Sequence, residues 1–212
     1  MCHTRDCASP SDPHVIGGRV STNDVRARGD VADGGRTVAT GGDPAALAHA
    51  VRRAQGGDMI AIHELLDIIT PYVRRLCGPI ALQDAPDAVQ ETLIVMLRSL
   101  GQLREPAALF GWVRVIAVRE AIRVARASSR TVPMEMVEVP APDDPALAVD
   151  VRDVLDRLSP EHRAVLMLRD VEGLDEREAG EHLGVPVGTV RSRLFRARHS
   201  FRTAWRSEGG RR

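Results

Sequence analysis

The chain contains no lysine; its 29 basic side chains are all arginine. An exclusion that complete reads as a coding bias, and it carries no functional weight. Net charge is missing too. The arginines are balanced by 29 acids, for a formal net charge of +0. This excludes a protein that coats nucleic acid through global positive charge, so any such contact must come from local charge. Cysteine is scarce and irregular. Cys2, Cys7 and Cys77 are an odd number without regular spacing, which is no disulfide framework. Cys2, His3, Cys7 and His14 match no standard zinc spacing, and neither a metal nor a cofactor is expected. No apolar run approaches the ~20 residues that span a bilayer, so membrane insertion is not expected. The N-terminus lacks the basic start and apolar core of a secretory signal, and a reducing cytoplasm is the expected compartment. Strand-like alternation is absent, leaving an all-α reading. There are no clustered carboxylates for two metals and no nucleophile paired with a base, and the Ser128-Ser129 pair has no partner pattern. The chain is therefore not expected to be an enzyme.

What is present is patterned. Residues 1–43 are rich in Gly, Asp, Ser and Pro without apolar period, and read as a disordered extension. Order is expected from Asp43-Pro44, a cap followed by a first-turn proline. A helix over 44–54 ends at Gln55-Gly56-Gly57, and Asp58 caps the next, over 59–77. Pro71 is expected to separate or kink that segment. His63 and Cys77, single and unsupported, read as packing residues. Over 84–100, Asp84 is the expected N-cap. Val89, Leu93, Met96, Leu97 and Leu100 form a buried stripe, with Asp87, Gln90 and Glu91 away from it. Residues 107–127 follow the Glu105-Pro106 break as a basic helix. Leu109, Val113, Ile116, Ala117, Ala121 and Val124 are its apolar side, and Arg114, Arg119, Arg123 and Arg126 supply charge. Phe110 and Trp112 stand at its start. Aromatics beside arginines suit stacking of single-stranded bases, although a lone tryptophan is more often core. Residues 128–146 hold four prolines and an acidic run, and read as a flexible linker between two domains. A helical domain over 147–206 and a disordered tail over 207–212 complete the expectation.

The most informative stretch is Asp175–Arg198, DEREAGEHLGVPVGTVRSRLFRAR. Asp175 and Glu178 have capping-box spacing. Gly184 can end the first helix in the left-handed conformation, and Pro186 restarts the chain. Val187, Val190, Leu194, Ala197 and Phe201 recur at helical spacing. The opposite face carries Gly188, Ser192, Phe195, Arg196 and His199, flanked by Arg191 and Arg193. From Val187 to Arg212 there are eight arginines and one acid, Glu208. This is the layout of a helix-turn-helix whose second helix can enter a major groove. The blander reading is a basic amphipathic helix on a helical surface. Small outward residues, Gly188 and Ser192, favour DNA because they let the backbone approach closely.

Taken together these motifs carry a resemblance. Residues 158–198, with the core VGTVRSRLFRAR, resemble the C-terminal DNA-binding domain of the extracytoplasmic-function sigma factors, members of the sigma-70 family of bacterial RNA polymerase. DAPDAVQETL (84–93) is similar to their core-polymerase-binding stretch, and LFGWVRVIAVREAIRVAR (109–126) to the helix that reads and melts the downstream promoter element. The resemblance covers about residues 44–205. It implies a promoter-specificity subunit with no catalysis of its own. Upstream-element contacts would fall to Arg191, Ser192, Arg193, Phe195 and Arg196. Downstream contacts and melting would fall to Trp112, Arg114, Arg119, Arg123 and Arg126. The clamp of the β′ subunit would be met by Asp84, Asp87, Gln90 and Glu91, while the second domain would touch the flap of the β subunit. Promoter DNA, core polymerase and an anti-sigma factor are the implied partners. One departure is Arg119, where the family commonly has asparagine. The competing reading, a stand-alone helix-turn-helix regulator, explains Asp175–Arg198 but leaves the acidic face unused.

Overall fold

Capping and turn chemistry set the helix boundaries. The computed structural model describes residues 43–128 and 145–209, and every regular element among them is helical. A first group comprises α1 (Pro44–Gln55), α2 (Met59–Ala81), α3 (Ala85–Ser99) and α4 (Leu109–Ser128). A second comprises α5 (Pro145–Asp156), α6 (Pro160–Leu166), α7 (Glu176–Leu183) and α8 (Val187–Gly209). Asp43 accepts a hydrogen bond from the Ala45 amide at 3.0 Å, and Asp58 from those of Ile60 and Ala61 at 2.9 and 3.2 Å. Ser159 caps α6 through the His162 amide at 3.3 Å. Each bond satisfies an amide that the first helical turn leaves without a partner.

Several expectations are corrected. Asp84 makes no capping hydrogen bond. The chain passes from α2 into α3 through the 3-10 turn Leu82–Asp84, and the Ala85 amide already bonds the Leu82 carbonyl, so no open end is left to cap. Pro71 does not separate two helices, the first of the two outcomes expected of it: α2 runs through both Pro71 and Pro79. Pro71 lies on the exposed side, and burial of Leu65, Ile69, Leu76 and Ile80 along the other side outweighs the lost backbone bond. His63 is exposed, its Nδ1 2.7 Å from the Met59 carbonyl oxygen, and it is not a packing residue. Pro145 and Ala146, expected in the linker, begin α5, and α8 continues to Gly209 because no breaker precedes the Gly209-Gly210 pair. Residues 1–42, including Cys2, His3, Cys7 and His14, and 129–144 lie outside the described residues.

α2 is the centre of the first group, with α1, α3 and α4 packed around it. The second group packs around Val154, Leu158, Val165, Leu168, Val190 and Leu194. The two cores are continuous: α6 lies against α2 and α4, and α7 against α4. Buried Arg163 joins them, donating from Nε to the Ile80 carbonyl at 2.8 Å and from Nη1 to those of Leu158 and Leu155 at 3.1 and 3.3 Å.

Cys77 is fully buried, with Sγ 3.8 Å from both Thr92 Oγ1 and the Ala117 carbonyl oxygen. Burial pushes its thiol up to about 12. The thiolate is the nucleophile, so an alkylating reagent at neutral pH should spare Cys77 in the folded chain and modify it once guanidinium unfolds the protein. Peptide mass spectrometry reads this directly, and rapid native labelling would contradict the packing role.

Candidate nucleic-acid interface

The helix-turn-helix is built by local hydrogen bonds. Asp175 Oδ1 accepts from the Glu178 amide at 2.7 Å, and Glu178 Oε2 accepts from the Asp175 amide at 2.7 Å, completing the capping box at the start of α7. Gly184 ends α7 at φ 65°, the left-handed conformation that glycine adopts without penalty. The Val185 amide then donates back to the Gly180 carbonyl at 3.0 Å, and the Pro186 carbonyl receives the Thr189 and Val190 amides at 2.9 and 3.1 Å, which starts α8. Val190, Leu194 and Ala197 are buried beneath it.

Four of the five residues expected to read the upstream element share the open side of α8. Arg191, Ser192, Phe195 and Arg196 are exposed, and Phe195 is 75% exposed. Ser192 donates to the Thr189 carbonyl at 3.1 Å, and Arg191 Nε donates to Glu176 on α7 at 2.5 Å. Arg193 is half-buried and points elsewhere, lining a cleft of about 540 Å³ between α8 and α4. Arg198, His199 and Arg202 extend the exposed surface past Phe195 along α8. Their spacing of three, four and seven residues from Phe195 is readable in the sequence. Arg198 is tied to Asp170.

The basic side of α4 is differently placed. Trp112 is half-buried against the core, and Phe110 meets Tyr72 edge-on at 5.3 Å between ring centroids. Arg114 Nε donates to Tyr72 Oη at 2.8 Å and pairs with Glu172 at 3.0 Å. Arg119 donates to the His182 carbonyl at 3.2 Å and lies 3.5 Å from that of Glu181, at the C-terminal end of α7. Arg123 pairs with Glu120 at 2.6 Å and Glu91 at 3.1 Å, which raise its pKa further. Arg126 pairs with Glu161 on α6. Arg119, Arg123, Arg126 and Arg193 line the same cleft, with Glu161 as its acid. His182, alongside, has Nδ1 2.8 Å from the Glu178 carbonyl oxygen and Nε2 buried without a partner. Burial, helped by the Arg114 charge, holds its pKa below the usual histidine value.

The expected polymerase-facing residues divide. Asp87 and Gln90 are exposed on α3, while Glu91 is half-buried and engaged by Arg123. Asp84 is half-buried beside α3, near enough to Arg163 to favour the charged guanidinium against the burial that lowers its pKa. The residues that sequence reasoning missed are Tyr72, Arg75, Arg163, Glu161 and Glu172, which meet across the two groups. No periodicity could have found them, since each meeting joins residues distant in the chain. Among the described residues, no group of three His, Cys, Asp or Glu could hold a metal ion, and no helix is long and apolar enough to cross a membrane.

Known proteins resemble this chain. A family model described as "Sigma-70, region 4" matches residues 148–200. The ECF RNA polymerase sigma factor SigE of Mycolicibacterium smegmatis is 38% identical over 131 residues, 56% of this chain and about half, 51%, of that protein. The ECF RNA polymerase sigma-E factor of Haemophilus influenzae is 31% identical over 175 residues, covering 70% of this chain and 89% of that protein. Its Escherichia coli counterpart is 30% identical over 177 residues, covering 71% and 89%. Among solved structures, CnrH in complex with the cytosolic domain of CnrY has a TM-score of 0.54 at 20% identity, covering 76% of this chain and 98% of that one. The sigma factor RpoE in complex with the anti-sigma factor NepR, from Bartonella quintana, has a TM-score of 0.56 at 23% identity, covering 68% and 96%. At those identities the likeness is one of fold.

Proposed function

The chain belongs to the extracytoplasmic-function sigma factors of bacterial RNA polymerase, and from that premise we propose a division of labour between its two helical groups. The second, over residues 147–206, recognises the upstream promoter element. α8 lies in the major groove, where guanidinium forks suit guanine edges and phosphates. Arg191, Ser192, Phe195 and Arg196 make the contacts, and Arg193 joins them once the cleft beside α4 opens. The first group, over residues 44–127, holds core polymerase at the β′ clamp through Asp84, Asp87, Gln90 and Glu91, and the second group also touches the β flap. Trp112, Arg114, Arg119, Arg123 and Arg126 hold the downstream element as an unstacked single strand, combining stacking with charge. Residues 128–146 tether the two grips, so that each can reach its own promoter element. The polymerase performs the nucleotide chemistry; the chain contributes none and works in the cytoplasm. An anti-sigma factor is the proposed regulatory partner, as RpoE of the same fold is held by NepR.

The observation that carries this reading is Phe195. It is 75% exposed among exposed arginines, on a helix whose opposite stripe is buried. A phenylalanine among arginines on that open side can meet a thymine methyl while the guanidiniums take guanine edges and phosphates. Purified protein with core polymerase should therefore initiate transcription from a matching promoter. Neither core binding nor a promoter-dependent transcript from any genomic fragment would sink the reading. Arg196→Ala should weaken upstream-element binding by roughly 1–3 kcal/mol if the residue reads a base. An unchanged promoter footprint removes that assignment.

A further inference from the structure

We infer that the cleft between α4, α7 and α8 is a binding site for a nucleotide carrying two or more phosphates. The site stands on the chemistry of the cleft itself; its effect on polymerase assembly rests on the function proposed above.

Four guanidiniums line this space, Arg119, Arg123 and Arg126 from α4 and Arg193 from α8, against one carboxylate, that of Glu161. Its volume of about 540 Å³ lies within the range of small-molecule sites, roughly 300–1,000 Å³. Positions 119, 123 and 126 fall on successive turns of one helix face and span about 10 Å, so the charge runs along a line. A line of cations suits a chain of phosphates better than a single one, because each guanidinium fork takes phosphate oxygens in pairs. Arg193 completes the row from the α8 side. It is half-buried and, among the described residues, makes no hydrogen bond or ion pair. The pairs that the α4 arginines already make are open to water. The Arg123 and Arg126 side chains are 56% and 60% exposed, and ion pairs of that kind contribute little, so phosphates can replace them at small cost. Arg119 is oriented by the His182 carbonyl at 3.2 Å and has further N–H groups to give.

The rest of the lining indicates a nucleotide rather than bare polyphosphate. Ile122 on α4, with Leu183 and Val185 around the end of α7, forms a half-buried apolar wall beside the arginines. A nucleobase lays a flat face on such a wall, and guanidiniums stack on its ring. Inorganic polyphosphate would leave the wall against water. A nucleotide held here touches both helical groups. The proposed function requires the cleft to open when Arg193 joins the upstream contacts. Bound nucleotide favours the shut form and so slows assembly with core polymerase.

Isothermal titration calorimetry of the full chain, without divalent cations, compares GTP, ATP, GMP and inorganic triphosphate. A nucleoside triphosphate should bind at one site, with GMP and inorganic triphosphate at least about tenfold weaker. Arg193→Gln should weaken that binding about tenfold or more, the size of a lost charge-assisted pair. Glu161→Gln, which removes the one acid of the lining, should tighten it. Opposite signs from two substitutions on the same cleft separate a binding site from damage to the fold. If Arg193→Gln loses its helical circular dichroism, Arg123→Gln takes its place. Arg202→Gln, exposed on α8 outside this cleft, should leave the affinity unchanged and controls for general attraction of anions to arginine. Inorganic triphosphate binding as tightly as GTP and ATP would overturn the nucleotide assignment. Equal losses in Arg193→Gln and Arg202→Gln would overturn the cleft as the site, and no binding of any probe would overturn both. Nucleotide added before core polymerase should also slow assembly, followed by anisotropy of the labelled chain, far more in the parent than in Arg193→Gln. Binding without slowing would keep the nucleotide site and place the failure in the proposed function, where the cleft must open.

Discussion

Gly180→Val should unfold the helix-turn-helix and abolish promoter-dependent initiation, although the residue is buried and is not among the proposed DNA contacts. Gly180 is buried in α7, and a Cβ placed there would stand 2.8 Å from the Val185 carbonyl oxygen and 3.5 Å from Val190 Cγ2. The first contact is with backbone and cannot be relieved by a rotamer change. The same turn is held by the Val185 amide on the Gly180 carbonyl, so widening it loosens that bond as well. Overpacking by a single methyl costs about 1–3 kcal/mol, and valine adds two more carbons at the tightest point. Against a total stability of about 5–15 kcal/mol, that removes a large fraction. For a chain of this length each kcal/mol lowers the melting temperature by roughly 2–4 °C, so Gly180→Ala should be resolved clearly in a thermal scan. Gly188→Ala is the contrast. Its Cβ meets nothing within 4 Å, and the position is exposed on the outward side of α8. Stability should hold while upstream binding weakens, because the added methyl stands between backbone and groove. Equal melting temperatures for Gly180→Val and Gly188→Ala would show that close packing of the two helices is not needed.

Helices were legible in this sequence wherever a side chain announces a boundary. The Asp175–Glu178 capping box and Gly184 lie within one short stretch and were read from spacing alone, as was the buried stripe of Val190, Leu194 and Ala197. The exposure of Ser192, Phe195 and Arg196 followed from the same period. Pro71 does not divide its helix, because proline's local cost is fixed, whereas the burial that outweighs it comes from other helices. Asp84 misled because a cap needs an open helix end, and a 3-10 turn had closed it. Arg193 sits beside the readable face, yet it lines a cleft shared with α4, more than sixty positions away in the chain. Least legible was the docking of the two groups. A flexible acidic linker was read as separating them, but the joining residues Tyr72, Arg163 and Glu172 carry no motif. Their pairing is a property of tertiary contact.

The other large effect is expected at Arg163. This side chain is 6% exposed and donates to three carbonyls, those of Ile80, Leu155 and Leu158. Ile80 is in the last turn of α2, while Leu155 lies in the last turn of α5 and Leu158 just beyond it, where helices leave carbonyls without intrahelical partners. Both ends also carry partial negative charge, which a buried cation offsets. Arg163→Met preserves much of the volume but leaves these acceptors without a donor, at about 1–3 kcal/mol for each buried group that water cannot reach. Arg163→Lys should fall between, since one ammonium cannot span the directions that a planar guanidinium covers. Denaturant midpoints should therefore rank parent, lysine, methionine. The bond to Ile80 crosses between the groups, whereas those to Leu155 and Leu158 stay within the second. Glu172 meets Tyr72, Arg75 and Arg114 across the same junction, so if both residues hold the groups together, Arg163→Met should cost less in a Glu172→Arg background than in the parent. Such a shortfall in additivity is what coupled neighbours give in a double-mutant cycle. Full additivity would mean that Arg163 supports the second group alone and has no part in holding the two together.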